Sequence, residues 1–492
     1  PVPGFPDCTS GGLACFTGVI IVDRATMGTS ISHRTAMPAF APLTTLDHAA
    51  AQLARGATSA AQLAETALAR ACEGEGPKTY TRVLPGSARA EARASDTLRA
   101  AGLARSAIEG LPISVKDLFD IAGYPTRAGS RLLQGEPPAT RNARIVDRLR
   151  AAGAVIVGAT NMTEFAFSGI GINPHYGTPR NPWGRSDGGG RIPGGSSSGA
   201  AISVTDGMAL AAIGTDTGGS VRIPSALCGL TGFKPTARRV PSAGAIPLST
   251  TLDSIGPLAP SVRCCALLDS ILAGEPFAEP MPAAIAQMQL LAPANYVLDG
   301  MDGPVAAAWE RALSRLSQAG ARITHAPLAP LDELAAIHAK GAFSNAEAWA
   351  WHRRYLPARQ SEYDPRVAAR ILVGSRMNAA DYVDLLAARQ RWIAAMQAAL
   401  ADHDALLMPT VPIVAPEMAP LVASDEAFSA ANALILRNTT LVNFLDGCAV
   451  SLPMHQSGEA PCGLSLAAPG GHDARLLALA LAVEAVLTRA AP

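Results

Sequence analysis

Residues Asp187 to Arg222 read DGGGRIPGGSSSGAAISVTDGMALAAIGTDTGGSVR. Two Gly/Ser clusters, Gly194–Gly199 and Thr217–Ser220, flank an Ala-rich segment that also carries Ile, Val, Met and Leu. That segment has the length of one helix followed by one buried strand. Glycine tolerates backbone angles that other residues cannot adopt, so each cluster can fold tightly. Several N–H groups and a hydroxyl can then converge on one point, and the helix–strand unit brings Ser196 and Ser220 together. A serine hydroxyl is a weak nucleophile at neutral pH and needs a neighbouring base. The rest of the chain has to supply it.

Upstream, residues 173–193 are rich in Pro, Gly and Asn and read as a loop. Before it, Ile145–Ala152 reads as a helix and Ala154–Val157 as a buried strand, with Asn161 and Glu164 as caps of a following helix. Leu111–Val115 is a short apolar strand ending abruptly in Lys116-Asp117. Thr79–Leu84 reads as a strand and Ser87–Ala101 as a helix. Ser59 followed by Gln62 predicts a capping box that opens a helix through Cys72. Downstream, Gly229–Thr236 and Ser254–Leu258 read as turns between short strands, and residues 275–283 as a linker. Pro304–Gly320, Leu331–Leu356 and Ala379–Ala401 read as long amphipathic helices, a cap over about residues 300–400. Leu406–Thr410 returns to a buried strand, and Gly463–Ala467 reads as the last one. The alternation implies an α/β sheet with helices on both faces and a site at strand ends.

Residues 1–36 hold two cysteines and a short apolar run, Ala14–Val22, with nothing basic before it. A signal peptide needs a basic start, so this segment reads as an upstream extension ahead of Met27 or Met37. That leaves 37–492 as a single domain. Hydrophobic residues make up 49% and charged residues 16% of the 492, which points to a globular protein and away from disorder. Forty basic residues balance forty acidic ones, which argues against nucleic acid as a main partner. No apolar run is long enough for a membrane span. The eight cysteines form no C-x-x-C pair, so neither a zinc site nor a redox motif is expected, and reduced thiols in a cytoplasmic protein are.

Two patterns in the serine stretch mislead. Gly195–Gly199 matches G-x-S-x-G, but that nucleophile elbow requires a strand directly before it, and here a Gly/Pro loop precedes. The phosphate-binding G-x-x-x-x-G-K-[ST] is not present there. None of the nine histidines lies in the stretch, and His175, the closest, reads as a bystander in the preceding loop. Lys116 is the stronger base, because a lysine at the mouth of a buried strand loses its proton readily when desolvated. The alternative is that Lys116 pairs with Asp117 or Asp120 at the surface.

Leu111–Asp117 (LPISVKD), Gly194–Ala200 (GGSSSGA) and Gly214–Arg222 (GTDTGGSVR) resemble the motifs of the amidase signature family, with Ser196 and Ser220 24 positions apart. Ala122–Ser130, Asn161–Phe165, Ser225–Thr236, Asp253–Pro257 and Pro461–Pro469 match as well, so the resemblance runs from about residue 45 to 488. It implies a central mixed, twisted sheet covered by helices on both faces. It also implies a Ser–cis-Ser–Lys triad: Ser220 as nucleophile, Ser196 after a cis peptide from Gly195, and Lys116 as the base acting through Ser196. Backbone N–H groups of Thr217, Gly218, Gly219 and Ser220 would hold the oxyanion. Asp216 and Arg222 would pair to hold the loop, Ser197 and Ser198 would start the helix, and Cys228 would be core. No cofactor and no metal is implied.

The expected activity is hydrolysis of amide carbon–nitrogen bonds through an acyl-enzyme, on a small-molecule amide. The A subunit of a tRNA-dependent amidotransferase is the alternative within the fold, and a catalytically idle binding protein is the alternative of another class. An idle protein is expected to lose a triad member, and all three are present. A homodimer is left open. Met162, Phe167, Tyr176, Trp349 and Trp351 are candidate pocket residues and suggest an uncharged aryl or alkyl amide.

Overall fold

The computed structural model describes residues 43–186 and 189–489. The extension expected over residues 1–36 lies outside the described residues. Among the described residues eleven strands form one sheet: β1 (Tyr80–Val83), β2 (Pro112–Lys116), β3 (Val155–Thr160), β4 (Ala211–Asp216), β5 (Thr231–Lys234), β6 (Ser254–Ala259), β7 (Gln289–Pro293), β8 (Arg322–Ala326), β9 (Ala405–Pro409), β10 (Cys448–Pro453) and β11 (Gly463–Ala468). Their order is β1-β3-β2-β4-β6-β5-β10-β11-β9-β7-β8. β2 runs parallel to β3 and β4, and β7 runs parallel to β8 and β9. The other pairings are antiparallel, so the sheet is mixed.

The parallel centre follows from composition. β2, β3 and β4 are buried at every position, as short apolar runs covered on both faces must be. Parallel neighbours need crossovers. The helix Arg144–Ala151 lies between β2 and β3 in the chain, and Ser198–Thr205 lies between β3 and β4. One hydrophobic core spans the central strands and the helices Val262–Ala273, Gly303–Gln318 and Asp473–Thr488. A second gathers Phe343, Leu385, Trp392 and Met396 with Leu406, Met408 and Phe444, which seats the helix Ala379–Ala399 against the sheet.

The Ser59–Gln62 capping box is formed. Three other expectations change. The stretches read as turns at 229–236 and 254–258 contain β5 and β6. Gly256 lets two backbones approach there, since a Cβ would lie 2.0 Å from Phe233 O. The long helix expected over 331–356 is broken into Ala329–Asp332, Leu334–Ile337 and Phe343–His352, with Gly341 at φ 129° between the last two. The 300–400 region is therefore not purely helical, and it also contributes β8 to the sheet edge. Finally, Asn161 and Glu164 cap no helix. The Asn161 amide donates to Lys78 O and Gly177 O, both at 2.8 Å. Glu164 opens only a three-residue turn in which Phe165 and Ala166 have positive φ.

Candidate active site

The two serine loops meet at the ends of β2 and β4. β4 ends at Asp216, the chain turns through Thr217–Val221, and the helix Arg222–Cys228 begins. The Gly195–Ser196 peptide is cis. Ser197 N donates to Ser220 O at 3.3 Å, which ties the loops together. Lys116 closes β2 with its ammonium nitrogen 2.8 Å from Ser196 Oγ and 2.9 Å from Thr215 Oγ1. Lys116 and Ser196 are fully buried, whereas Ser220 keeps 3% exposure. The structure therefore replaces the surface pairing of Lys116 with a hydroxyl cage. Asp117 takes the Gly129 N–H at 3.3 Å instead, and Asp120 takes the Thr126 hydroxyl at 2.5 Å. Burial pushes the Lys116 pKa down to about 7, with Asp253 and Asp216 opposing only in part.

Among the described residues no hydrogen bond links the Ser196 and Ser220 hydroxyls. In a resting site such bonds are commonly long and tighten only with substrate.

Asp216 and Arg222 form the pair expected of them, both fully buried. Arg222 reaches the carboxylate through Nη2 at 2.8 Å and Nε at 3.0 Å. Burial would raise the Asp216 pKa, but the Arg222 guanidinium prevails and holds it well below the usual range. The same carboxylate accepts from the N–H groups of Gly219, at 2.8 Å, and Val221, at 3.2 Å. Gly219 N–H is one of the expected oxyanion donors. The Gly219 N–H already serves Asp216, and the turn's N–H groups outside that bond set are those of Thr217, Gly218 and Ser220. Gly219 sits at φ 128°, and a Cβ would lie 2.1 Å from Thr439 Oγ1, so only glycine fits.

The Thr217 side chain has a task that the sequence did not reveal. Its hydroxyl donates to Asp253 at 2.5 Å, and Asp253 also accepts from Leu248 N at 3.0 Å. Burial raises the Asp253 pKa to about 6, against the pull of the Thr217 bond. Thr215, Asn443 and Thr439 were likewise missed. Asn443 Nδ2 donates to Asp216 and Thr439 Oγ1 donates to Gly218 O. The last two lie more than 200 positions along the chain from the serine turn. Asp253 and Thr215 carried a signal, since both lie in stretches that match the family, Asp253–Pro257 and Gly214–Arg222.

Ser197 and Ser198 do start the helix, but no side chain caps it. Their hydroxyls turn to Thr215 O and Asn161 O, both at 3.5 Å. Cys228 Sγ lies 3.2 Å from Pro193 O and burial pushes its thiol above the usual range, so it is core. His175 binds the buried Glu164 at 2.8 Å. Of the pocket candidates, Met162 is buried beneath Gly129 and Asn173. Tyr176 donates to Ser130 O at 3.2 Å. Trp349 and Trp351 pack against the main core, Trp351 beside Phe165 with ring centroids 5.8 Å apart. Phe167 is buried with the Arg370 guanidinium 4.9 Å from its ring centre. Among the described residues no cluster of three His, Cys, Asp or Glu could hold a metal ion, and no helix is long and apolar enough to cross a membrane.

The amidase family profile matches residues 62–477. The 2-amino-5-chloromuconic acid deaminase of Comamonas testosteroni is 38% identical over 406 residues, 81% of this chain and 86% of that one. The A subunit of the Glutamyl-tRNA(Gln) amidotransferase of Chloroflexus aggregans is 32% identical over 478 residues, 90% of this chain and 96% of that one. A solved amidase structure superposes with a TM-score of 0.81 at 33% identity, covering 90% of this chain and 100% of its own. With the profile and these relatives spanning most of its length, the chain belongs to the amidase signature family, shares its fold, and is a hydrolase acting on carbon–nitrogen bonds.

Proposed function

We propose that the chain hydrolyses a small-molecule amide through Ser220, with Lys116 as base and Ser196 as the relay between them. The observation that carries this is the 2.8 Å contact between Lys116 and Ser196 in a fully buried site. A lysine so desolvated is substantially neutral near pH 7 and can accept a proton. Ser220 Oγ attacks the amide carbonyl carbon, its proton passing through the Ser196 hydroxyl to Lys116. The carbonyl oxygen becomes an oxyanion facing the N–H groups of Thr217, Gly218 and Ser220. Removing one such donor costs about 2.7–4 kcal/mol in the transition state. The C–N bond then breaks, the leaving nitrogen takes the proton back along the same path, and an ester to Ser220 remains. Water, deprotonated by the same relay, cleaves the ester and releases a carboxylate. The balance needs one water and no cofactor.

The buried thiols of Cys228, Cys264, Cys265, Cys448 and Cys462 suit a reducing compartment such as the cytoplasm. The second reading, an amidotransferase component that passes ammonia to a partner, is favoured by the relative from Chloroflexus aggregans. Assaying the purified chain alone on aliphatic amides, anilides, carbamates and peptide amides separates the two. Robust hydrolysis with fluorophosphonate labelling mapped to Ser220 supports the hydrolase. Hydrolysis that appears only with a partner protein supports the other, and a label on a different residue overturns the nucleophile.

A further inference from the structure

The loop that leads into β6 is held from two sides. On one side, Asp253 accepts from Leu248 N at 3.0 Å and Ser249 N at 3.2 Å, and takes the Thr217 hydroxyl at 2.5 Å. Asp253 N donates back to Ser249 O at 2.8 Å, so residues 248–253 close into one hydrogen-bonded turn. On the other side stands Glu347, on the helix Phe343–His352. One oxygen of its carboxylate accepts the Ser249 hydroxyl at 2.5 Å and the Thr251 N–H at 3.0 Å. The other accepts the Thr251 hydroxyl and, at 2.7 Å, the hydroxyl of Tyr382 on the helix Ala379–Ala399.

Among the described residues Glu347 bonds three hydroxyls and one backbone N–H, and none of these partners is a cation. The nearby Arg389 spends its donors on Phe444 O and Asn443 O. Four bonds fill the acceptor sites of a carboxylate, and bonds to a charged acceptor are short and directional. Three of the four fix a single loop. Ser249 is the shared member, giving its hydroxyl to Glu347 while its N–H and carbonyl serve Asp253. Asp253 in turn holds Thr217, the first residue after β4 and the start of the serine turn. An unbroken path of hydrogen bonds therefore joins the helical segment outside the sheet to that turn.

We propose that Glu347 is a positioning residue for the oxyanion turn: acting through Ser249 and Asp253, it fixes Thr217 and so aims the N–H groups of Thr217 and Gly218. This rests on the hydrolase reading for what that turn does. Glu347 touches neither the substrate nor the reacting atoms. Oxyanion donors work only when they are held in place before the charge develops, so loosening the brace slows the chemical step and leaves ground-state binding nearly untouched.

The test compares Glu347→Ala and Glu347→Gln with the unmodified protein. Glutamine keeps one acceptor oxygen, and its amide can donate to the Thr251 and Tyr382 hydroxyls, which accept as well as donate. Amide hydrogen exchange comes first, because it needs no substrate. Peptides covering residues 217–220 exchange at least about threefold faster in Glu347→Ala, those covering β10 and β11 stay as they were, and Glu347→Gln behaves like the unmodified protein. Unchanged exchange at the turn in folded Glu347→Ala overturns the proposal. Labelling of Ser220 by a fluorophosphonate follows, with the turn receiving the phosphonyl oxygen. Glu347→Ala lowers kinact at least about tenfold with KI within about twofold, and Glu347→Gln recovers most of the loss. In a Thr217→Val background, which removes the hydroxyl and keeps the N–H, Glu347→Ala costs less than about twofold more. Fully additive losses overturn the path through Thr217. Should Glu347→Ala fail to fold, Ser249→Ala removes only the shared hydroxyl and is judged by the same outcomes. Faster exchange at the turn, with no labelling of Ser220 in the unmodified protein, leaves the brace standing and defeats the hydrolase reading. Labelling of Ser220 with kinact unchanged in Glu347→Ala does the reverse.

Discussion

Two lysines end neighbouring parts of the sheet in full burial, Lys116 on β2 and Lys234 on β5, and their surroundings set their uses apart. Burial lowers both, Lys116 to about 7 and Lys234 to about 8, the latter pushed further by Arg222. Lys116 touches two hydroxyls, Ser196 and Thr215, which can donate as well as accept. Lys234 is clamped by two backbone carbonyls, Pro235 O at 2.8 Å and Gly447 O at 2.6 Å, which can only accept. A shifted pKa alone therefore marks neither as a base. What distinguishes Lys116 is a partner through which a proton can move.

The comparison is broken most directly at the nucleophile. Ser220→Ala should abolish turnover, a loss of at least about 10⁴-fold in kcat, while calorimetric unfolding stays near that of the unmodified protein. Substantial residual activity would remove the reason for treating the Lys116 region as the chemical one. The two lysines come next. Lys116→Ala should lose about 10²–10⁴-fold in kcat, the range of a positioned base, and Lys116→Arg should not recover it, because a guanidinium stays protonated. Lys234→Met should act mainly on stability, leaving two carbonyls unpaired at about 1–3 kcal/mol each. An active Lys116→Arg enzyme beside a dead but folded Lys234→Met enzyme would exchange the roles.

A smaller contrast separates a relay from a direct Ser–Lys contact. Ser196→Ala should lose about 10²-fold in kcat, whereas Ser198→Ala, whose hydroxyl reaches only Asn161 O, should show its effect in the melting curve. Similar small losses at both positions would favour direct contact between Lys116 and Ser220. The smallest effect lies in the pH profile. If Lys116 is the base it must be neutral to act, and burial lowers its pKa to about 7, so kcat should rise through about pH 7 and then level off, where an ordinary lysine would still be gaining activity at about pH 10. The Asp253 carboxylate favours charged Lys116, so Asp253→Asn should move the rise to lower pH. A profile that stays put, or moves upward, would show that Asp253 does not act on the base.

That the stretches carrying Lys116, Ser196 and Ser220 meet was legible because each motif is compact and its local backbone needs are written in its own residues. The Ser59–Gln62 box was legible for the same reason. β5 and β6 were not, because short strands with glycines resemble turns until β4 and β10 pair with them. The helix expected over 331–356 failed because apolar periodicity over a long window does not show where Gly341 interrupts it.

From the sequence alone came the α/β class, the family, the meeting of the lysine and serine motifs and the pairing of Asp216 with Arg222, since all depend on short-range patterns. The tertiary structure alone decided which hydroxyls surround Lys116, that Asp216 claims the Gly219 N–H and that Thr217 reaches Asp253. Each of those is a matter of distance in space between residues unrelated by spacing along the chain. Burial and unpaired charge, which set the chemistry, exist only once those distances close.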